Sequence, residues 1–237
     1  MKYTKRNDGR KFDEPRPMKA EVGVIKNAVG SARFQIGKTI AYAAVYGPKD
    51  LFPKFLQNPS TAKLRCNYNM MAFSGSGERV RPGTNRRSKE ISMVVEKAFE
   101  PVLDLTEFPK AVVDVYIELP QTDAGTRCAG ICAASLALAD AGFDMKDLVC
   151  AVSCGLVGDQ VVIDLDKFEE DFEGGAVDIP MAILPRTGEI TLLQLDGEIK
   201  KEDLKKAISL AREACKKIYE VQKEALKAKY AKEDKEW

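Results

Sequence analysis

Histidine is absent from all 237 residues, and that absence removes whole classes of chemistry. Without imidazole there is no serine or cysteine nucleophile activated by histidine, no Cys2His2 zinc site and no histidine general base. Acid-base work falls to carboxylate, lysine, tyrosine or the substrate itself. Net charge is also lacking: 37 basic against 36 acidic side chains exclude disorder driven by charge, and bulk charge selects no partner. No window approaches the roughly 18 uninterrupted apolar residues of a spanning helix. The opening MKYTKRNDGRKFDE has no apolar stretch of signal-peptide length. These two absences predict a cytoplasmic protein with no membrane partner.

The C-x-x-C arrangement of a zinc knuckle is missing too. The six cysteines are Cys66, Cys128, Cys132, Cys150, Cys154 and Cys215. Most lie in apolar runs such as CAGICAASLALA and LVCAVSCGLV, where a thiol acts as a small hydrophobe, so they read as reduced core residues. With 45% hydrophobic and 31% charged residues the chain is of globular composition, long enough to build a core without disulfides.

Residues 1–19 form a basic arm in which Lys2, Lys5, Arg6, Arg10, Lys11, Arg16 and Lys19 face three acids; it reads as a strap or a partner-binding segment. The β-compatible runs EVGVI, SARFQI and TIAYAAVYG, punctuated by Asn27, Gly30 and Gly37, predict an antiparallel meander over 20–46. GPKDLFPKFLQNPS, 47–60, carries three prolines and predicts a long ordered loop without an element of its own. KLRCNYNMMAF reads as a strand and SGSGERVRPGTN as a loop. Helical spacing of Ile91, Val94, Val95 and Ala98 places a helix in RRSKEISMVVEKAFEP. AVVDVYIELP is a strand, and TRCAGICAASLALADAG is a buried helix closed by Gly142. Two hairpins follow, turning at Gly158–Asp159 and at Thr187–Gly188. The last forty residues predict an amphipathic helix with Leu204, Ile208, Ala211, Cys215, Ile218 and Ala225 on one face. Strands and helices in this order indicate an α+β fold. No linker interrupts 1–237, which reads as one domain, and no short repeat is visible.

Charge is sorted locally. Residues 78–89 hold Arg79, Arg81, Arg86, Arg87 and Lys89 against Glu78, whereas 159–178 hold eight acids against Lys167. Either the two stretches are solvated loops that neutralise each other, or they join an anion site to a carboxylate. Gly125 and Thr126 fall where a strand turns into a helix, and the exposed N–H groups of such a terminus favour an anion. Arg127 adds a bidentate fork, although an ordinary Gly-Thr cap with a solvated arginine remains the alternative. Arg86 and Arg87 open the other middle helix. In the proline-rich loop, Lys49 to Phe55 mixes cations with aromatics, which suits a single strand of nucleic acid as well as a loop packed on its own phenylalanines.

NDGRKFDEPRP, AAVYGP, LRCNYNM, RPGTNRRSKEIS, DAGTRCAGICAASLALADAG, MKDLV and ITLLQLDG together resemble the RNase PH family, most closely its archaeal exosome branch, over nearly the whole chain. The resemblance implies two β-rich and helical halves packed face to face with a long C-terminal helix, and a six-membered ring. It also implies phosphorolysis of RNA from the 3′ end, with inorganic phosphate as co-substrate. By position, Arg87, Gly125, Thr126 and Arg127 would hold phosphate, and Arg86 and Lys54 would bind RNA. Asp178 and Asp171 would be the catalytic aspartates, with magnesium on them as one way to assist. Here they stand seven residues apart, one more than in the related pattern, and Glu170 or Glu173 could replace Asp171. The implied partners are RNA, a homologous non-catalytic ring subunit and RNA-binding cap subunits. The alternatives are a non-catalytic RNA-binding ring subunit and a stand-alone enzyme that trims tRNA.

Overall fold

The structure is a computed structural model that describes residues 3–77, 79–81 and 83–233. Lys2 and Glu78, and the last residues of the expected C-terminal helix, lie outside them. The α+β expectation holds: two sheets are packed around a central helix. The first sheet has the strand order β1-β2-β3-β5-β4, built from β1 (Met18–Val22), β2 (Gly30–Ile36), β3 (Thr39–Asp50), β4 (Lys63–Met70) and β5 (Ala111–Gln121). The first three form the antiparallel meander, while β4 runs parallel to β5. Parallel neighbours require a crossover, which α1 (Arg86–Phe99) supplies. The second sheet, β7-β6-β8-β9, consists of the two expected hairpins: β6 (Cys150–Val157) with β7 (Gln160–Ile163), and β8 (Ala176–Ile183) with β9 (Ile190–Leu193).

Between the sheets lies α2 (Thr126–Asp140), which packs on β2, β3 and β5 on one side and on β6 on the other. A helix covered all round has no polar stripe, and its interior reads CAGICAASLAL for that reason. One hydrophobic cluster runs from Phe34, Val115 and Ile117 through Ile131 and Leu136 to Val152, Ile179 and Ile218. The long α4 (Lys201–Glu233) closes it from the side of β6. Its apolar face holds one polar residue that periodicity did not reveal. Gln222 is fully buried, donates to the carbonyls of Cys132 (3.2 Å) and Val149 (3.3 Å), and accepts from the Cys150 thiol. All six cysteines are free and buried, as expected. Burial pushes the Cys132 and Cys154 thiols up to about 12, so they are inert at neutral pH.

One expectation needs correction, and one alternative falls away. Segment 47–60 is not element-free. An irregularity between Tyr46 and Lys49 lets β3 continue, pairing Lys49 with Val112 and Asp50 with Ala111, and Lys54–Leu56 forms a 3-10 turn. Nor does the loop pack on its own aromatics, since Phe55 is 84% exposed. Among the described residues no helix is long and apolar enough to cross a membrane.

Candidate active site

The basic arm is a strap laid across the second half, anchored by two buried arginines. Arg6, 1% exposed, forks onto Glu169 at 2.7 Å through both Nε and Nη2 and donates to the carbonyls of Ile163 and Asp164. The Tyr3 hydroxyl adds a bond to the same carboxylate at 2.8 Å. Arg16 grips both Asp164 oxygens, at 2.8 and 2.6 Å, and donates to the Asp123 carbonyl. Burial disfavours the Arg16 charge, but the bonds and charge of Asp164 outweigh it and raise its pKa. The arm thereby fixes two places: the turn before α2, and α3 (Lys167–Glu170), a short helix capped by Asp166 that the sequence reading did not resolve.

The turn before α2 has an unusual backbone. Ala124 (φ 55°) and Gly125 (φ 63°) are consecutive left-handed residues. The Thr39 hydroxyl accepts from Asp123 N at 2.9 Å and donates to the Ala124 carbonyl at 2.7 Å. A side chain at Gly125 would add strain at positive φ and approach Arg16 Nη2 to 3.2 Å. Gly125 is the N-cap and no side chain caps the terminus, so the first N–H groups of α2 are presented without a protein acceptor from a cap. Across from it, Asn85 caps α1 through a reciprocal box with Ser88, a signal that N-x-x-S carries in the sequence. Arg86 and Arg87 therefore stand on the first turn, although cations there oppose the helix dipole.

These elements enclose a cavity of about 670 Å³ between the two sheets. Arg87, Gly125, Thr126, Arg127, Asp171 and Asp178 all line it, so six positions of the sequence-derived site converge from three elements and two loops. Among the described residues neither Arg87 nor Arg127 is ion-paired to a carboxylate. Arg127 is steadied instead by the neutral Gln194 oxygen at 3.0 Å. Two guanidinium groups without an ion pair among the described residues, beside a helix N-terminus, make a wall suited to an anion. Arg86 is exposed on the same turn but does not line the cavity, and Lys54 is exposed in the loop after β3, also outside the lining.

The opposite wall is acidic. Asp178 on β8 is paired through its backbone with Asp196, and its carboxylate accepts from the Ser153 hydroxyl on β6. Burial raises its pKa above the usual carboxylate value, and Asp196 adds to this, against the Ser153 bond and the nearby Arg127 and Arg87 charges. Of the candidates near residue 170, Glu173 does not line the cavity, and the two that do divide. The Asp171 side chain is 62% exposed and bonded to Lys167 at 2.6 Å, whereas Glu170 is half-buried. Burial and the charge of Asp178 raise the Glu170 carboxyl, against Lys167 and Arg87. Sequence reasoning missed Ser153, Arg16, Thr39, Gln194 and Tyr68 as parts of this site. Each is a common residue in an ordinary strand, arm or loop, with no local pattern to mark it.

A metal on the two predicted aspartates has a thin donor set. With Asp171 turned to Lys167, they offer no converging pair, and among the described residues no group of three or more acidic or cysteine side chains is placed to hold an ion.

Two family models match in tandem: the 3′ exoribonuclease family, domain 1, over residues 14–144, and domain 2 over 147–214. The exosome complex component Rrp41 of Thermococcus kodakarensis is 53% identical over 228 residues, covering 96% of this chain and 90% of the relative. That of Methanopyrus kandleri is 48% identical, covering 95% and 93%. Among solved structures, rice Rrp46 superposes with a TM-score of 0.82 at 26% identity, over 94% of this chain and all of that one. A chain of the Archaeoglobus fulgidus exosome with RNA bound to the active site superposes at 0.77 over 91% and 92%, and at 22% identity it speaks for the fold. With both family domains in order along a fold of this kind, the chain belongs to the RNase PH family of 3′ exoribonucleases.

Proposed function

We propose that the chain is the active subunit of an archaeal-type exosome ring and shortens RNA from its 3′ end by phosphorolysis. One observation carries the reading: the guanidinium groups of Arg87 and Arg127, without an ion pair among the described residues, the Thr126 hydroxyl and the N-terminus of α2 share a cavity with the half-buried carboxyl of Asp178. An oxyanion held on the first wall has its oxygens turned toward a proton donor on the second. Family membership and the exosome names of the archaeal relatives support the same substrate.

In this mechanism an oxygen of inorganic phosphate attacks the phosphorus of the last phosphodiester. A new P–O bond forms, the bond to the 3′ oxygen of the preceding nucleotide breaks, and that oxygen takes a proton. The products are a nucleoside 5′-diphosphate and RNA shorter by one residue with a free 3′ hydroxyl. Catalysis is positioning and charge neutralisation by the arginines, which is what phosphoryl transfer demands. Asp178 supplies the proton, because desolvation favours its protonated form more than that of an ordinary aspartate.

RNA reaches the cavity past Arg86, exposed at its edge, and past Lys54 with Phe52 and Phe55, whose charge and open rings suit a single strand. A homologous non-catalytic subunit completes the ring against exposed apolar surface such as Leu193 and Leu195, RNA-binding caps sit on it, and the assembly works in the cytoplasm. Throughout, 1–237 acts as one catalytic domain. The test is incubation of oligo(A) with the chain, alone and with a homologous RNase PH-like subunit, with and without phosphate. Nucleoside diphosphate released only with phosphate, and fastest in the mixed ring, is expected. Nucleoside monophosphate, or no product in the mixed ring, would overturn the reading. Full activity without a partner would assign the chain to the stand-alone class instead.

A further inference from the structure

Three buried side-chain oxygens among the described residues have no hydrogen-bond partner: those of Tyr68, Ser74 and Thr191. Of the three, only Tyr68 lines the cavity. Its ring cannot easily move the hydroxyl elsewhere. Tyr68 lies inside the β4–β5 pairing opposite Ile117, and its backbone N–H donates to Ser92 Oγ of α1 at 2.9 Å. The ring packs on Gly130 of α2, where an added Cβ would stand 3.7 Å from Cε2 and 3.1 Å from Ile117 Cγ2. With 4% of the residue exposed, the hydroxyl is held out of solvent; Thr126 and Arg87 stand near its oxygen as prospective donors without reaching good hydrogen-bond geometry, Arg127 adds a nearby charge, and none of the three offers its proton an acceptor.

A buried hydroxyl without a partner is rare, because it forfeits its bonds to water and gains none in return. Here the surrounding groups supply mainly donors, namely two guanidinium forks and a hydroxyl, so what is missing is an acceptor. We infer that the Tyr68 hydroxyl is a further donor of the anion wall, giving a hydrogen bond to an oxygen of bound inorganic phosphate alongside Arg87, Thr126 and Arg127. This rests on the reading of that wall as a phosphate site. Burial raises the Tyr68 pKa, against Thr126 and the neighbouring cations, so the group is a neutral phenol with a proton to donate and not a phenolate that would repel the ligand.

The test is calorimetric titration of the full-length protein with inorganic phosphate, which needs no turnover, for wild type, Tyr68→Phe and Arg127→Ala, with melting temperatures measured without phosphate. A hydrogen bond to a charged acceptor predicts phosphate binding weaker by about tenfold in Tyr68→Phe. Removing an unpartnered oxygen predicts a melting temperature equal to or above wild type in that variant. RNA affinity is expected to stay unchanged. If Tyr68→Phe binds phosphate within about twofold of wild type while Arg127→Ala has lost it, the role of Tyr68 is overturned and the anion site stands. If neither variant changes phosphate binding, the anion site falls with it. A Tyr68→Phe protein that melts markedly earlier would show the hydroxyl to be structural and would likewise overturn the proposal.

Discussion

The two walls of the cavity are built to different standards of rigidity. The cationic wall stands on the strained turn at Ala124–Gly125, locked by Thr39 and by the Arg16–Asp164 clamp, and continues into a helix buried on every side. The acidic wall hangs from the four-residue α3, which Arg6 holds through Glu169, and beyond it the chain passes through Gly174 and Gly175 before reaching Asp178. Only Asp178 is embedded in a sheet; Asp171 is exposed. Binding an anion needs fixed dipoles in advance, whereas a proton donor needs only one well-placed group. The molecule spends its buried ion pairs accordingly, one on each wall, both from the same arm.

The largest effect is expected at Asp178. Asp178→Asn lowers phosphorolysis by 10²-fold or more, the usual worth of general acid catalysis, while melting and ring assembly stay close to wild type; retained activity above about a tenth would reject Asp178 as the donor. The wild-type rate falls as pH rises through the Asp178 pKa, since the protonated form is the active one and burial holds that pKa above the ordinary range. The variant's pH profile loses that limb.

Next come the two clamps. Breaking a buried ion pair by removing one partner costs about 3–5 kcal/mol, so Arg6→Ala and Arg16→Ala each lower the denaturation midpoint substantially. They separate in kinetics: Arg16→Ala raises the phosphate concentration for half-maximal rate, while Arg6→Ala lowers the maximal rate with that concentration little changed. Identical kinetic signatures from the two variants would erase the distinction between the walls. Asp171→Asn is expected to cost less activity than Asp178→Asn, because its carboxylate is solvated and paired with Lys167. A loss equal to that of Asp178→Asn would mean that the acidic wall rearranges when RNA binds. Smallest is Arg86→Ala, which weakens RNA binding uniformly across sequences and makes the salt dependence of affinity shallower by about one phosphate contact. A change confined to phosphate affinity would move Arg86 into the cavity.

Much of this was legible in the residues. Helical spacing located α1 and α4, the small apolar run closed by Gly142 located α2, turn residues located the hairpins, and the Gly-Thr-Arg sequence after a strand marked a helix start that lines the cavity, since these signals act within a few residues of chain. Other features were not legible. Gln222 sits at a position that periodicity assigns to an apolar face, and only the carbonyls of Cys132 and Val149 explain it. The continuation of β3 to Asp50 depended on an irregularity that lets Lys49 find Val112. Arg6 and Arg16 looked like members of a solvated basic arm, and their carboxylate partners lie roughly 150 residues away.

By itself the sequence determined the chemistry available: no imidazole, guanidinium groups at two helix starts, and a cluster of acids near residue 170. Tertiary structure alone decided which of those groups meet. The pairing of β6 with β8 sets Ser153 beside Asp178, and α2, enclosed between the sheets, carries Arg127 to the same cavity while β4 delivers Tyr68 with no partner for its hydroxyl. Hydrogen-bonding need and burial are properties of surroundings assembled from distant segments, so no local pattern records them.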